Sequence, residues 1–104
     1  MSKLHSKSEI LEASMEKPVL VDFWASWCTP CQVLGPVLEE AEQRGGGRWN
    51  LIKVDVEENE DLAREYQIMS IPAVKLFYKG KIVADFTGYR PLPVVEQWVN
   101  QYIQ

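Results

Sequence analysis

Cysteine is nearly absent from this chain: Cys28 and Cys31 are the only two in 104 residues. A framework of several disulfides is therefore excluded. None is needed, because a chain of this length can bury roughly 60 to 70% of the surface its unfolded form exposes. Long apolar runs are also missing. The most apolar stretch, PVLVDFWA from Pro18 to Ala25, is too short to span a bilayer and contains an aspartate, so no membrane association is expected. Basic charge is scarce as well, with 11 Lys and Arg against 15 Asp and Glu, for a net charge of −4. The basic residues are scattered singly, which leaves the electrostatic part of nucleic-acid binding without a source and removes nucleic acid as a partner. Neither does the opening MSKLHSKSE carry an apolar core after its lysines, so it does not read as a secretory signal. The expected location is the cytoplasm. There thiols stay reduced, and a lone close pair is more often catalytic or metal-binding than structural.

What remains is the composition of an ordinary globular protein. At 46% hydrophobic and 25% charged residues, disorder, collagen and coiled coil all describe it poorly, and one domain over residues 1–104 is expected. SKSE at Ser6 to Glu9 is a capping box, after which Ile10, Leu11 and Met15 supply an apolar helix face that ends at Lys17-Pro18. VLVDFW, Val19 to Trp24, has the near-continuous apolar character of a strand covered on both faces. From Thr29 the spacing turns helical, with Cys31, Leu34, Leu38 and Ala41 on one side until three glycines begin at Gly45. Pro36 falls inside that helix, where a proline costs about 3 kcal/mol and kinks the axis. LIKVDV from Leu51 is a second buried strand, and Asn59 is placed to cap a short helix reaching about Tyr66. AVKLFY, Lys79-Gly80 and KIVADFT form a hairpin pattern. A last helix starts near Pro93 and turns Val94, Val95, Trp98, Val99 and Tyr102 inward. This order predicts an α/β fold: a mixed sheet of four to five strands with helices on both faces.

The two cysteines sit at the start of the second helix, within WASWCTPCQ. Side chains three apart on a helical turn lie about 5 to 6 Å apart at Cβ, close enough to pair with a small adjustment. Thr29-Pro30 favours a helix start, since a first-turn proline gives up only an amide that lacks a helical partner anyway. Cys28 then lies at the positive end of the helix dipole, where a thiolate is favoured, making it both a better nucleophile and a better leaving group. Two plainer readings stand beside redox exchange. A structural disulfide closing so short a loop removes little unfolded-chain entropy. A zinc site wants four ligands, and His5 is the only other soft candidate, in an N-terminus expected to be mobile, although a metal shared across a dimer stays open. A C-x-x-C pair beside a βαβ pattern favours redox exchange over both.

The stretch VLVDFWASWCTPC resembles the active-site segment of the thioredoxin family, whose usual motif is W-C-G-P-C. Pro36 stands where that family kinks its active-site helix, Ile71-Pro72-Ala73 resembles its cis-proline loop, and Lys79-Gly80 and Gly88 match its hairpin and the turn beyond. The resemblance covers essentially the whole chain and implies the thioredoxin fold. It makes Cys28 the attacking thiolate, exposed and acidified, and Cys31 the buried resolving thiol.

Asp22 interrupts an apolar strand, and burying an unpaired carboxylate raises its pKa, so it is a candidate proton acceptor; a strand-edge aspartate facing water is the alternative. The resemblance gives Asp22 the task of helping to deprotonate Cys31, with Lys53 as its companion, against the plainer reading of Lys53 as a solvated strand lysine. It also places Trp24 beneath the site and Trp27 on its rim. Pro72, if cis, would hold Ile71 so that its backbone pairs with an extended substrate segment. The implied docking patch is Trp27, Thr29, Pro30, Ile71, Pro72 and Gly88. Thr29 departs from the family's usual glycine, and Tyr89-Arg90, Ser70 and Ala73 also differ from its common residues, which bears on reduction potential and partner choice.

The implied function is a monomeric protein-disulfide reductase with protein disulfide substrates, recycled by a thioredoxin reductase. It needs no cofactor or metal beyond the Cys28-Cys31 pair. A disulfide oxidase or isomerase, and a binding or chaperone module that ignores its thiols, are the alternatives.

Overall fold

The computed structural model describes residues 4–103. Helix α1 (Lys7–Glu16) begins at the expected capping box: the Glu9 N–H donates to Ser6 Oγ at 3.1 Å and the Glu9 carboxylate accepts from the Ser6 N–H. It is followed by β1 (Val19–Trp24), α2 (Thr29–Arg44), β2 (Asn50–Asp55), α3 (Glu60–Glu65), β3 (Ala73–Tyr78), β4 (Lys81–Thr87) and α4 (Leu92–Asn100). The strands form one mixed four-stranded sheet in the order β2-β1-β3-β4, with β1 parallel to β2 and the other pairings antiparallel.

Successive side chains of a strand point to opposite faces, and β1 distributes its apolar residues accordingly. Val19, Val21 and Phe23 join Ile10 of α1 and Leu62 of α3 in one core. Leu20 joins Leu34, Leu38 and Ala41 of α2 and Val95, Trp98 and Val99 of α4 in the other. By that alternation Asp22 shares the face of Leu20, toward α2. Trp98 meets Phe86 edge-on, with ring centres 4.9 Å apart, a geometry worth about 1 kcal/mol beyond the area buried. The hairpin turns at Lys79 and Gly80, both at positive φ (55° and 79°), as a two-residue turn matching the strand twist demands.

Several expected placements differ. Met15 is half exposed, because the inward position on α1 goes to Ser14, which is fully buried. Its hydroxyl donates to the Leu11 carbonyl at 2.7 Å and accepts from the Gly80 N–H at 3.0 Å, so a polar contact secures this end of the helix to the hairpin turn. On α4, Val94 is exposed and only Val95, Trp98 and Val99 are buried, while Tyr102, also exposed, lies past its end. The helix stops at Asn100, and Ile103 beyond it fills the core instead. Asn59 stands at the N-cap of α3 without a side-chain cap. Its amide donates to the Asp55 carbonyl and its oxygen accepts from the His5 N–H. His5 is consequently held in place, its ring nitrogen 3.3 Å from Glu9, and not loose in a mobile terminus.

Candidate active site

The site lies where β1 ends and α2 begins. After Trp24 the chain makes a tight turn closed by a Cys28 N–H to Ala25 carbonyl bond of 3.2 Å. Cys28 is the N-cap of α2, with extended backbone, and its Sγ accepts from the Cys31 N–H at 3.3 Å. That orphan donor of the first turn therefore points at sulfur. Pro30 lies within the first turn, where its missing N–H costs nothing. Gln32 braces the preceding loop by donating its side-chain amide to the Ala25 and Ser26 carbonyls at 3.4 and 3.1 Å. α2 continues through Pro36, which cannot donate back to the Gln32 carbonyl.

Cys28 and Cys31 are joined as a disulfide, with Cα atoms 5.2 Å apart. The expected contrast between an exposed first sulfur and a buried second one is absent in this oxidised form: Cys28 is 5% and Cys31 4% exposed. Both are packed by Ala25, Trp24, Val56 and Ile71. What separates them is their surroundings. Cys31 lines a cavity of about 210 Å³ with Trp24, Gln32, Gly35, Pro36, Glu39 and Lys53.

On β1, two residues before Trp24, Asp22 is 1% exposed, with neither carboxylate oxygen hydrogen-bonded among the described residues. Burial pushes its pKa up to about 7; Lys53 opposes the rise and Glu39 adds to it. Lys53 is the residue directly across the sheet, Asp22 and Lys53 being Cα partners in the β1–β2 register. Its ammonium bonds Glu39 at 3.1 Å and lies 5.6 Å from the centre of the Trp24 ring. The Trp24 indole N–H is buried and also without a partner among the described residues.

On the solvent side, Trp27 is 67% exposed while Thr29 and Pro30 flank the disulfide in the open. The Ile71–Pro72 bond is cis. Ile71 is half-buried against the disulfide cluster, and Pro72 is buried beneath the surface, not part of it. The Pro72 carbonyl accepts from the Gly88 N–H at 2.9 Å, tying the two loops together. Gly88 has φ of 85°, where a side chain is strained whatever the space. Arg90 is turned onto the Phe86 ring, 4.2 Å from its centre, and Tyr89 is half exposed.

Four residues not singled out from the sequence, Val56, Ala63, Ile68 and Met69, complete this face. With Trp27, Ser70 and Ile71 they line a depression of about 350 Å³, and Met69 is 93% exposed. The signal available was a run of apolar residues, Ile68, Met69 and Ile71, in a segment with no room for a strand or helix. Among the described residues no group of three or more His, Cys, Asp and Glu side chains is placed to hold a metal ion, and no helix is long and apolar enough to cross a membrane.

A family model described as Thioredoxin matches residues 3–101. The chain belongs to the thioredoxin family. It is 40% identical over 88 residues to the thioredoxin of Bacillus subtilis strain 168, with 85% of each chain covered. It is 42% identical over 97 residues to thioredoxin C-2 of Corynebacterium nephridii, covering 93% of this chain and 88% of the relative. A mutant thioredoxin from Halobacterium salinarum NRC-1 superposes with a TM-score of 0.87 at 29% identity, over 97% of this chain and 88% of its own. The mixed sheet with flanking helices is thus the thioredoxin fold, and in this family's motif Thr29 stands between the cysteines.

Proposed function

We propose that this thioredoxin-family chain reduces disulfide bonds in proteins through reversible oxidation of Cys28 and Cys31, and that a thioredoxin reductase returns it to the dithiol. The observation that carries the reading is the disulfide itself, formed across the first turn of a helix with Cys28 as N-cap. In the reduced chain the Cys28 thiolate attacks one sulfur of a substrate disulfide, forming a mixed disulfide and releasing one substrate thiolate. The Cys31 thiolate then attacks Cys28 Sγ, releasing the second substrate thiolate and closing the Cys28–Cys31 bond. Two electrons pass to the substrate and none to a bound cofactor, so the chain needs none.

The helix N-terminus and the Cys31 N–H pointed at Cys28 favour charge on that sulfur and support its role as attacking group. Asp22 has the burial and the raised proton affinity of a group that accepts the Cys31 proton, and Lys53 is its neighbour across the sheet. Trp24 and Pro36 serve structurally, packing beneath the disulfide and shaping α2. Substrate docks as an extended segment on Trp27, Thr29, Pro30, Ile71 and Gly88, with Pro72 holding the Ile71 backbone for strand-like pairing. One sheet shared by two cores supports a single thioredoxin domain. We read the chain as a monomer working in the cytoplasm.

The test is the reduction potential of the pair, equilibrated in graded dithiol buffers and followed by tryptophan fluorescence. Thioredoxin is itself the reference case for a potential of about −270 mV, and a value near it is expected here. A value near about −180 mV, in the range of disulfide isomerases, overturns the reductase reading in favour of oxidation or isomerisation.

A further inference from the structure

A buried carboxyl opposite a lysine would ordinarily close into an ion pair, and here it does not. Lys53 directs its ammonium to Glu39 Oε2 at 3.1 Å, and both Asp22 oxygens are left without a hydrogen bond among the described residues. The room for this is specific. A Cβ on Gly35 would lie 3.2 Å from Lys53 Nζ, tighter than such contacts usually are, so a bare glycine on α2 lets the ammonium lie alongside the helix. Trp24 supports the ammonium from the sheet side at 5.6 Å.

We propose that Glu39 is a positioning residue for proton exchange at Cys31, holding the Lys53 ammonium against α2 so that it does not neutralise Asp22. The proposal rests on the reading of Asp22 as the acceptor of the Cys31 proton and adds what regulates it. The charged groups acting on Asp22 are Lys53 from β2, which lowers its pKa, and Glu39 from α2, which raises it. From β3 the register partner is apolar Val74, and α2 also contributes the Cys31 thiol when the pair is reduced. Glu39 therefore acts twice in one direction, by its own charge and by holding back the opposing cation. It also walls the cavity that Cys31 lines, so the arrangement bears on the resolving sulfur and not on Cys28.

The experiment is a carboxyl NMR titration of Asp22 in the oxidised full chain, comparing the parent, Glu39→Gln, Lys53→Met and the double variant. Glu39→Gln lowers the Asp22 midpoint by about half a pH unit or more, and Lys53→Met raises it. In the Lys53→Met background the Glu39→Gln shift falls to less than about half its size, since there is no cation left to position. Glu40→Gln, whose partner is Arg44, leaves the midpoint in place. An unchanged midpoint in Glu39→Gln overturns the proposal, as does an equal shift with and without Lys53, which would make Glu39 a bystander charge. Failure of the underlying reading looks different: Asp22→Asn would leave the pH profile of mixed-disulfide resolution unaltered. In that case Glu39 loses its catalytic meaning even with the titration cycle intact.

Discussion

Asp22 and Lys53 face one another across β1 and β2, yet their charges do not meet. An acid left alone in an apolar interior is a source of instability, and its size depends on pH. Burial raises Asp22 from 3.8 to about 7, so between those values the folded chain holds a proton that the unfolded chain gives up. Stability therefore falls as pH rises through that window and levels off above it. Asp22→Asn is expected to be more stable than the parent by on the order of 4 kcal/mol at about pH 8, the gain fading toward about pH 4. Urea unfolding of the oxidised protein across that range measures it. A gain that ignores pH would mean the charge is not its origin.

The resolving role proposed for Cys31 predicts an asymmetry between the two serine variants. With Cys31→Ser the mixed disulfide cannot be released and accumulates on Cys28, whereas Cys28→Ser forms little or none. Intact mass after exposure to a disulfide-bonded protein distinguishes them. Equal adducts on both variants would assign no order of attack.

Gln67 is a stability defect of a different kind. α3 ends in a Schellman motif, with the Ile68 N–H on the Ala63 carbonyl at 3.0 Å and the Gln67 N–H on the Arg64 carbonyl at 3.1 Å. That geometry requires a left-handed residue between them, and Gln67 sits there at φ of 53°. Gln67→Gly should stabilise the chain by about 0.5–1 kcal/mol, because relief at positive φ outweighs the added freedom of the unfolded glycine. Thermal unfolding reads this directly. A destabilised variant would show that the Gln67 side chain contributes something its exposed position does not suggest.

Met69 is exposed beside Trp27 and Ile71, on the wall of the depression next to the disulfide. Placing a charge there should impair docking without touching sulfur chemistry. Met69→Glu is expected to raise KM for protein disulfides several-fold, in keeping with ~1 kcal/mol of lost apolar contact and desolvation, and to leave the reduction potential in place. A changed potential with an unchanged KM would contradict the docking role.

Much of this was readable beforehand, for local reasons. The capping box at Ser6, the β1 apolar run, the Lys79-Gly80 turn and the α2 stripe of Cys31, Leu34, Leu38 and Ala41 each encode a conformation through neighbours a few residues apart, and each is found where expected. The errors fall where a local pattern was open to more than one partner. Met15 and Ser14 compete for one inward position on α1, and the Gly80 N–H, which donates to the Ser14 hydroxyl, decides for the serine. Val94 and Tyr102 fit an extended helical stripe, but Val94 falls on the outer side of α4 and Tyr102 lies past the end of the helix, where Ile103 takes the buried position.

The cysteine pair, its place at a helix start and the aspartate inside an apolar strand were determined by the sequence itself, because each depends on spacing within a single element. The partners of those groups were not. That Lys53 reaches Glu39 and bypasses Asp22, that Gly35 gives it space, and that Met69 joins Trp27 on one wall all depend on how α2, β2 and the Ile71-Pro72 loop are brought together. Distances between elements are set by packing of whole faces, and no stretch of the sequence carries that information alone.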